Sequence, residues 1–181
     1  MKQSITETIE IPDGLNVTIT DTKMTVKGQK SEVSRRIILP RIKIGTKGKN
    51  VEISCTKATK REKKQIYTTI AHLKNMLQGA QTPYKYTLKI CSGHFPINVS
   101  VSNNQFIVKN FLGEKVPRTM PLKQGVTITI SGDQIIVESP DKEMVGQTAS
   151  EIELLTTISN RDPRVFQDGI YLIEKNGQPL K

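Results

Sequence analysis

The chain has 181 residues, 35% of them hydrophobic and only 4% aromatic, with no tryptophan; that is enough to bury a core in one domain or two small ones, built from β-branched and aliphatic side chains. A formal net charge of +10 and a sequence pI near 9.6 point to a polyanionic partner, because Lys and Arg neutralise phosphates and release their counterions; an anionic membrane surface is the competing explanation. No run approaches the roughly 18 apolar residues of a membrane span, and the start, MKQSITETIEIPDG, is polar and carries no secretory signal, so a membrane protein is excluded and the cytoplasm is the expected location.

In chain order, residues 16–20 and 23–27 alternate apolar and polar with period two around a short turn at Asp21 and Thr22, which predicts a hairpin. A second strand pair follows, residues 42–44 and 51–55, around the glycine-containing stretch 45–50. Gly45-Thr-Lys-Gly48-Lys49 is not a phosphate-binding P-loop, which needs four residues between its glycines and Ser/Thr after the lysine. It matches the Gly-x-x-Gly loop of KH domains, but that loop joins helices, and here the flanks are strands. A basic hairpin turn is the reading. The period then changes: Ile66, Ile70, Leu73 and Leu77 fall on one helix face. Thr59 and Glu62 are spaced as a capping box and Gly79 is a candidate stop. The stretch around Ala80-Gln-Thr-Pro83 reads as a linker.

The same order of signals then repeats. Residues 98–102, a turn at Asn103 and Asn104, and residues 106–109 form a hairpin pattern; residues 126–130 and 135–137 follow around Ser131-Gly-Asp133. A helix opens at Ser139 as N-cap with Pro140 at its first position, and Asp141 and Glu143 suit the positive end of its dipole. Its apolar face is Met144, Thr148, Ile152 and Leu155, and Gly146 inside it implies close packing. A shift of 82 residues aligns identities without a gap, including Asn16/Asn98, Val26/Val108, Arg36/Arg118, Ile53/Ile135 and Leu73/Leu155. Self-similarity at a fixed offset indicates duplication, and two copies are too few for a solenoid. The expected fold is α+β: two tandem duplicated domains, each a small, mostly antiparallel sheet with one helix packed on it. The first copy spans residues 1–81. The second, with a C-terminal extension, spans 82–181.

Catalysis has no constellation to support it. His72 falls on the polar side of the first helix, no serine sits in a nucleophile elbow, and no pair of acids lies in a glycine-rich pocket. Cys55 and Cys91 lie in strand-like runs, where a free thiol acts as a small hydrophobe. With His72 and His94 they lack the usual metal-ligand spacings. Neither an enzyme nor a cofactor nor a metal is expected. Charge is unevenly spread: residues 1–86 carry 17 basic and 7 acidic side chains, and residues 87–181 carry 10 of each. Within the second half, 133–153 is acidic, whereas 109–123 holds Lys109, Lys115, Arg118 and Lys123 against Glu114 alone. The C-terminal run adds Arg161, Arg164, Lys175 and Lys181, spaced to project from an extended segment, with Asp168-Gly169 as a turn before a short strand at 170–173.

That run, Arg164-x-Phe166-x-Asp168-Gly169-Ile170-Tyr171-Leu172-x-x-Lys175, resembles the signature of the archaeal and eukaryotic branch of the ribosomal protein L-six family, the L-nine protein of eukaryotes. Met24-Thr-Val-Lys-Gly-Gln-Lys30 and Asn110-Phe-Leu-Gly-Glu-Lys-Val-Pro-Arg118 are similar to the same family, with Gln29 and Ser31 where proline and glycine are common. The resemblance covers essentially the whole chain. It implies a duplicated α+β protein of the large ribosomal subunit, bound to large-subunit ribosomal RNA near the sarcin–ricin loop and the translation-factor site. The second copy would be the main RNA contact, with neighbouring ribosomal proteins and, transiently, translation GTPase factors close by. Carried onto this sequence, the expected RNA-binding residues are Lys109, Asn110, Gly113, Lys115, Arg118, Lys123, Arg161, Arg164, Gly169, Tyr171 and Lys175. Contacts to phosphate and sugar, by shape more than base sequence, are their expected role. Gly113 and Gly169 would let backbone approach closely, and Phe166 is expected in the core. The alternative is a free-standing basic RNA chaperone or regulator, which would bind many RNAs with little preference.

Overall fold

The computed structural model describes residues 3–20, 22–29, 31–37, 39–162 and 164–180. Asp21 of the expected first turn, and Lys30, Pro163 and Lys181 of the motifs above, lie outside the described residues. The chain divides into two units between Pro83 and Tyr84.

The first unit contains β1 (Gln3–Glu10), β2 (Asn16–Ile19), β3 (Lys23–Lys27), β4 (Glu32–Arg36), β5 (Lys43–Lys47), β6 (Asn50–Ala58) and α1 (Lys60–Gln81). Its strands form two antiparallel three-stranded sheets, β1-β6-β5 and β2-β3-β4, with α1 packed on β6, β4 and β3. The sequence reading led to one sheet per copy and did not include β1 or β4. The alternation in β3 places Met24 and Val26 inward, fully buried with Val51, Ile53, Ile66 and Leu73. Burying each such side chain stabilises by about 1.5–3 kcal/mol. At the start of α1, the Glu62 carboxylate accepts the Thr59 backbone N–H at 2.9 Å and also bonds the Thr59 hydroxyl, the expected capping box. Those bonds hold Glu62 below the usual carboxylate range. Gly79 does not stop the helix. It is buried inside α1, which runs on to Gln81 with Thr82 as its cap, leaving only Thr82 and Pro83 before the next strand.

The second unit contains β7 (Tyr84–Cys91), β8 (Asn98–Ser102), β9 (Gln105–Lys109), β10 (Arg118–Pro121), β11 (Thr127–Ser131), β12 (Gln134–Ser139), α2 (Lys142–Leu155), β13 (Gly169–Lys175) and β14 (Gln178–Pro179). One sheet is β10-β9-β8; the other is β11-β12-β7-β13-β14. Two details differ from expectation at α2. The N-cap is Asp141, whose Oδ1 accepts from the Glu143 N–H at 2.9 Å, while Ser139 ends β12. Gly146 is not tightly packed: a Cβ there would lie 3.8 Å from the Tyr86 ring, an ordinary contact. The fully buried side of α2 is Val145, Thr148, Ala149 and Ile152, with Met144 and Leu155 half-buried beside it.

The duplication is real but its offset is not constant. The first hairpins correspond at 82, with buried Met24 and Val26 matching Phe106 and Val108. Across from Met24 stands Arg35 and across from Phe106 stands Met120, an offset of 85, and the next pair of turns places Gly48 against Gly132, an offset of 84. Identities such as Arg36/Arg118 and Ile53/Ile135 are therefore not structural equivalents. The cause is local. The first unit passes from β3 to β4 through residues 28–31, whereas the second passes from β9 to β10 through the longer stretch 110–117.

Candidate nucleic-acid interface

Three stretches of the second unit meet at one edge: residues 92–97 after β7, residues 110–117 before β10, and residues 156–168 before β13. The middle one is an unusual turn, because Asn110 (φ 59°), Leu112 (φ 49°) and Gly113 (φ 78°) are all left-handed. Left-handed backbone costs an ordinary L-residue about 1–2 kcal/mol, so Leu112 is held there by its surroundings. Asn110 Nδ2 donates to the Pro96 carbonyl at 3.0 Å, and Leu112 packs on the second core. Gly113 has the φ that a glycine accepts without strain, with the Phe95 ring at its side. The turn leaves Lys115 exposed at its crest.

Arg118 is engaged by groups inside the unit. Its guanidinium donates to both Glu114 carboxylate oxygens (2.9 and 2.6 Å) and to the carbonyls of Leu155 (2.8 Å) and Thr157 (3.2 Å), while lying 4.4 Å over the Phe111 ring. These partners leave its side chain 27% exposed. The hydrogen bonds from Arg118 hold Glu114 below the usual carboxylate range. Arg118 thus closes the C-terminus of α2, where orphaned carbonyls and the negative end of the dipole favour a cation. Lys123 is likewise turned away: it pairs with Glu151 of α2 at 2.6 Å and is 25% exposed.

Residues 161–162 and 164–168 are compact rather than extended. The Asp162 carbonyl accepts the N–H groups of Val165 and Phe166, and its carboxylate accepts the Arg164 N–H at 2.9 Å. The Arg164 guanidinium also bonds Asp162, yet remains 88% exposed. Phe166 is not in the core. It stacks on the His94 ring at 4.7 Å between centroids, and the Arg161 guanidinium lies 4.7 Å from its centroid. The expected turn at Asp168-Gly169 is also absent. Asp168 is 1% exposed and accepts the N–H groups of Gly93 (2.6 Å) and His94 (2.9 Å) and His94 Nδ1 (2.5 Å). Burial alone would raise the Asp168 carboxyl, but the hydrogen bonds from His94 and Gly93 outweigh it and the net direction is down. This buried carboxylate pins the loop after β7 to the start of β13.

Gly169 begins β13, and a Cβ there would lie 3.1 Å from the Tyr171 ring. That ring already covers the glycine, so it is no point of backbone approach from that face. The Tyr171 hydroxyl donates to the Gln167 carbonyl at 3.3 Å, and 42% of the residue stays exposed. Beside it the sequence reading passed over Lys89, which faces Tyr171 across the β7–β13 ladder. Lys89, Cys91, His94, Val165, Gln167 and Tyr171 line a surface cavity of about 650 Å³. The alternation Tyr84-Lys-Tyr-Thr-Leu-Lys-Ile-Cys91 was the signal that could have found it. Exposed Phe95 was missed as well. Of the remaining expected residues, Lys109 is exposed at the end of β9, and exposed Lys175 lies at the far end of β13 from Gly169. At about 3.3 Å per residue that separation is roughly 20 Å. The structure therefore brings together Asn110, Gly113, Lys115 and Arg161, with Arg164, Gly169 and Tyr171 on the adjoining segment, and sets Lys123 and Lys175 apart. Among the described residues no group of three or more potential metal ligands occurs, and no helix is long and apolar enough to cross a membrane.

Fold and site together define a duplicated α+β protein whose second copy presents exposed cations and aromatic rings on a cross-linked edge. A family model described as Ribosomal protein L6 matches residues 11–82 and 95–169, one repeat in each unit. The chain is 41% identical over 172 residues to the large ribosomal subunit protein uL6 of Methanobrevibacter smithii, covering 95% of this chain and 97% of that one. It is 43% identical over 170 residues to the protein of the same name from Sulfurisphaera tokodaii, covering 93% and 91%. The chain belongs to the ribosomal protein L6 family. Its relatives are ribosomal proteins, not enzymes.

Proposed function

We propose that the chain is a structural constituent of the large subunit of the cytoplasmic ribosome. Its second unit holds folded large-subunit ribosomal RNA near the sarcin–ricin loop and the translation-factor site, with other ribosomal proteins as neighbours and translation GTPases passing close by. The observation that carries this reading is the division of labour among cations at one edge. Arg118 and the Asp168 carboxylate fix the loops internally, and Lys115, Arg161 and Arg164 are left exposed on that fixed frame. A rigid array of phosphate contacts fits RNA shape without reading bases. Lys109, Lys89 and Tyr171 extend the array, and Lys175 makes a separate contact. Arg118, Lys123 and Gly169 position the site rather than touch RNA.

The test compares the full chain on a large-subunit RNA fragment containing the sarcin–ricin loop with an unrelated RNA of equal length. Tighter binding to the fragment by 100-fold or more is the expected result. Equal affinity for both would replace this reading with that of a general RNA chaperone.

A further inference from the structure

The first unit carries most of the net positive charge, and the second-unit edge leaves that charge unexplained. Between the end of β4 and one face of α1 lies a cleft of about 430 Å³, a volume within the roughly 300–1,000 Å³ usual for small-ligand sites. Met24, Ile37 and Leu39 floor it, Arg35, Arg36, Arg61 and Lys64 are its cations, and His72 also lines it. The helix side is set by spacing: Arg61, Lys64 and Thr68 recur at three and four residues, which puts them along one stripe of α1. Arg36, Arg61 and Lys64 are exposed, and among the described residues none of these three is in an ion pair; Arg35 is half-buried and has a partner of its own. Among the described residues no acid lines the cleft. Glu62, the one acid in the first turn of α1, is committed to the helix cap.

The second unit shows that this is not a by-product of the fold. Counting from the two caps, Thr59 and Asp141, the positions of Arg61 and Lys64 are held in α2 by Glu143 and Gly146. At the offset of 85, Arg36 corresponds to Pro121, and Lys123, two residues past β10, is paired with Glu151 of α2. The same helix face thus carries two exposed cations in one copy and none in the other.

We infer that the cleft of the first unit is a second RNA site, taking one unstacked nucleotide of a single-stranded segment. The base lies on the side chains of Ile37 and Leu39 and the flanking phosphates lie against Arg36, Arg61 and Lys64. A cationic rim alone would take any anion. The apolar floor beneath it offers van der Waals contact to a base face, through aliphatic side chains in place of the aromatic ones that stack bases in other single-strand grooves. The RNA chemistry rests on the ribosomal reading above, while the site itself is separate from the second-unit edge.

The experiment uses the full chain with an eight-nucleotide oligoadenylate, and compares a cleft variant (Arg36→Glu with Lys64→Glu) with an edge variant (Lys115→Glu with Arg164→Glu). The cleft variant is expected to bind the oligonucleotide at least 10-fold more weakly. Its salt slope should be shallower by about 1.4, two phosphates at roughly 0.7 each for single strands. The edge variant should lose less of the oligonucleotide than the cleft variant does. The oligonucleotide should also shift the methyl signals of Ile37 and Met24 by ring current, which inorganic phosphate does not do. Unchanged binding by the cleft variant, equal methyl shifts with phosphate alone, or tighter binding of an oligoglutamate peptide or an RNA duplex at the cleft would each overturn the inference. Loss of the oligonucleotide by the cleft variant with no loss of the sarcin–ricin fragment by the edge variant would leave this site standing and sink the edge.

Discussion

The two units are copies of one fold, yet they differ where each passes from its third to its fourth strand. The first makes the passage in residues 28–31. The second uses residues 110–117, three of them left-handed, and hangs Lys115 from the result. Charge follows the opposite rule: the first unit is strongly basic along a simple helix face, while the second is nearly neutral and gathers its cations at one built edge. Net charge therefore reports how much anion a surface can neutralise, and loop geometry reports where a rigid contact is made. A cation in the second unit can be structural or functional, and its partners decide which.

Core truncations give the largest expected effects and test whether the copies are equally well packed. Phe106→Ala should cost about 3–5 kcal/mol and its counterpart Met24→Ala about 2–5 kcal/mol, read by urea unfolding monitored through each unit's own resonances. A near-zero cost at either position would mean that its core is not packed as described. Next come the inward-facing groups of the edge. Arg118→Ala removes the donor to two helix-end carbonyls and should lower stability by about 1–3 kcal/mol, whereas Lys115→Ala should leave the melting temperature unchanged. If the two behaved alike in thermal melts, the distinction between holding and gripping would fail.

Asp168→Asn should cost about 2 kcal/mol, because a buried acceptor of two backbone N–H groups loses its charge. The pH dependence has a definite sign. The folded carboxyl is lowered relative to its ordinary value, so its stabilisation is complete above the ordinary carboxylate range, about pH 4, and disappears as pH falls through the lowered folded value. The variant should lack that acid-side loss in melts taken from pH 6 downward. The smallest effect has the opposite direction. Gly146→Ala should raise stability by roughly 0.5–1 kcal/mol, since its Cβ meets only the Tyr86 ring at van der Waals distance; a loss in the same melt would show hidden close packing.

Much of the fold was legible because period-two and helical patterns are local. The hairpins at 16–27 and 98–109, the capping box at Thr59 and Glu62, and the duplication all read directly from residue order. What failed was whatever depended on tertiary partners. Gly79 looked like a stop, but α1 is held helical past it by packing of Leu77 and Ala80. Asp168-Gly169 looked like a turn, but the carboxylate is consumed by a loop some 75 positions earlier in the chain. Identities at a shift of 82 hid an insertion, because alternating strands give chance matches at any even shift. At the edge, residue type marked the cations, yet Arg118 and Lys123 could be told from Lys115 and Arg164 only by how much of each side chain the fold covers.

The claim most exposed to disproof is that the outward cations of the second unit grip RNA phosphates. Its direct measurement is the salt dependence of binding to the sarcin–ricin fragment by the full chain and by Lys115→Ala with Arg164→Ala. At about 0.9 per duplex phosphate, the doubly substituted chain should bind more weakly and show a slope shallower by roughly 1.8. An unaltered slope and affinity would place the RNA somewhere else on the molecule.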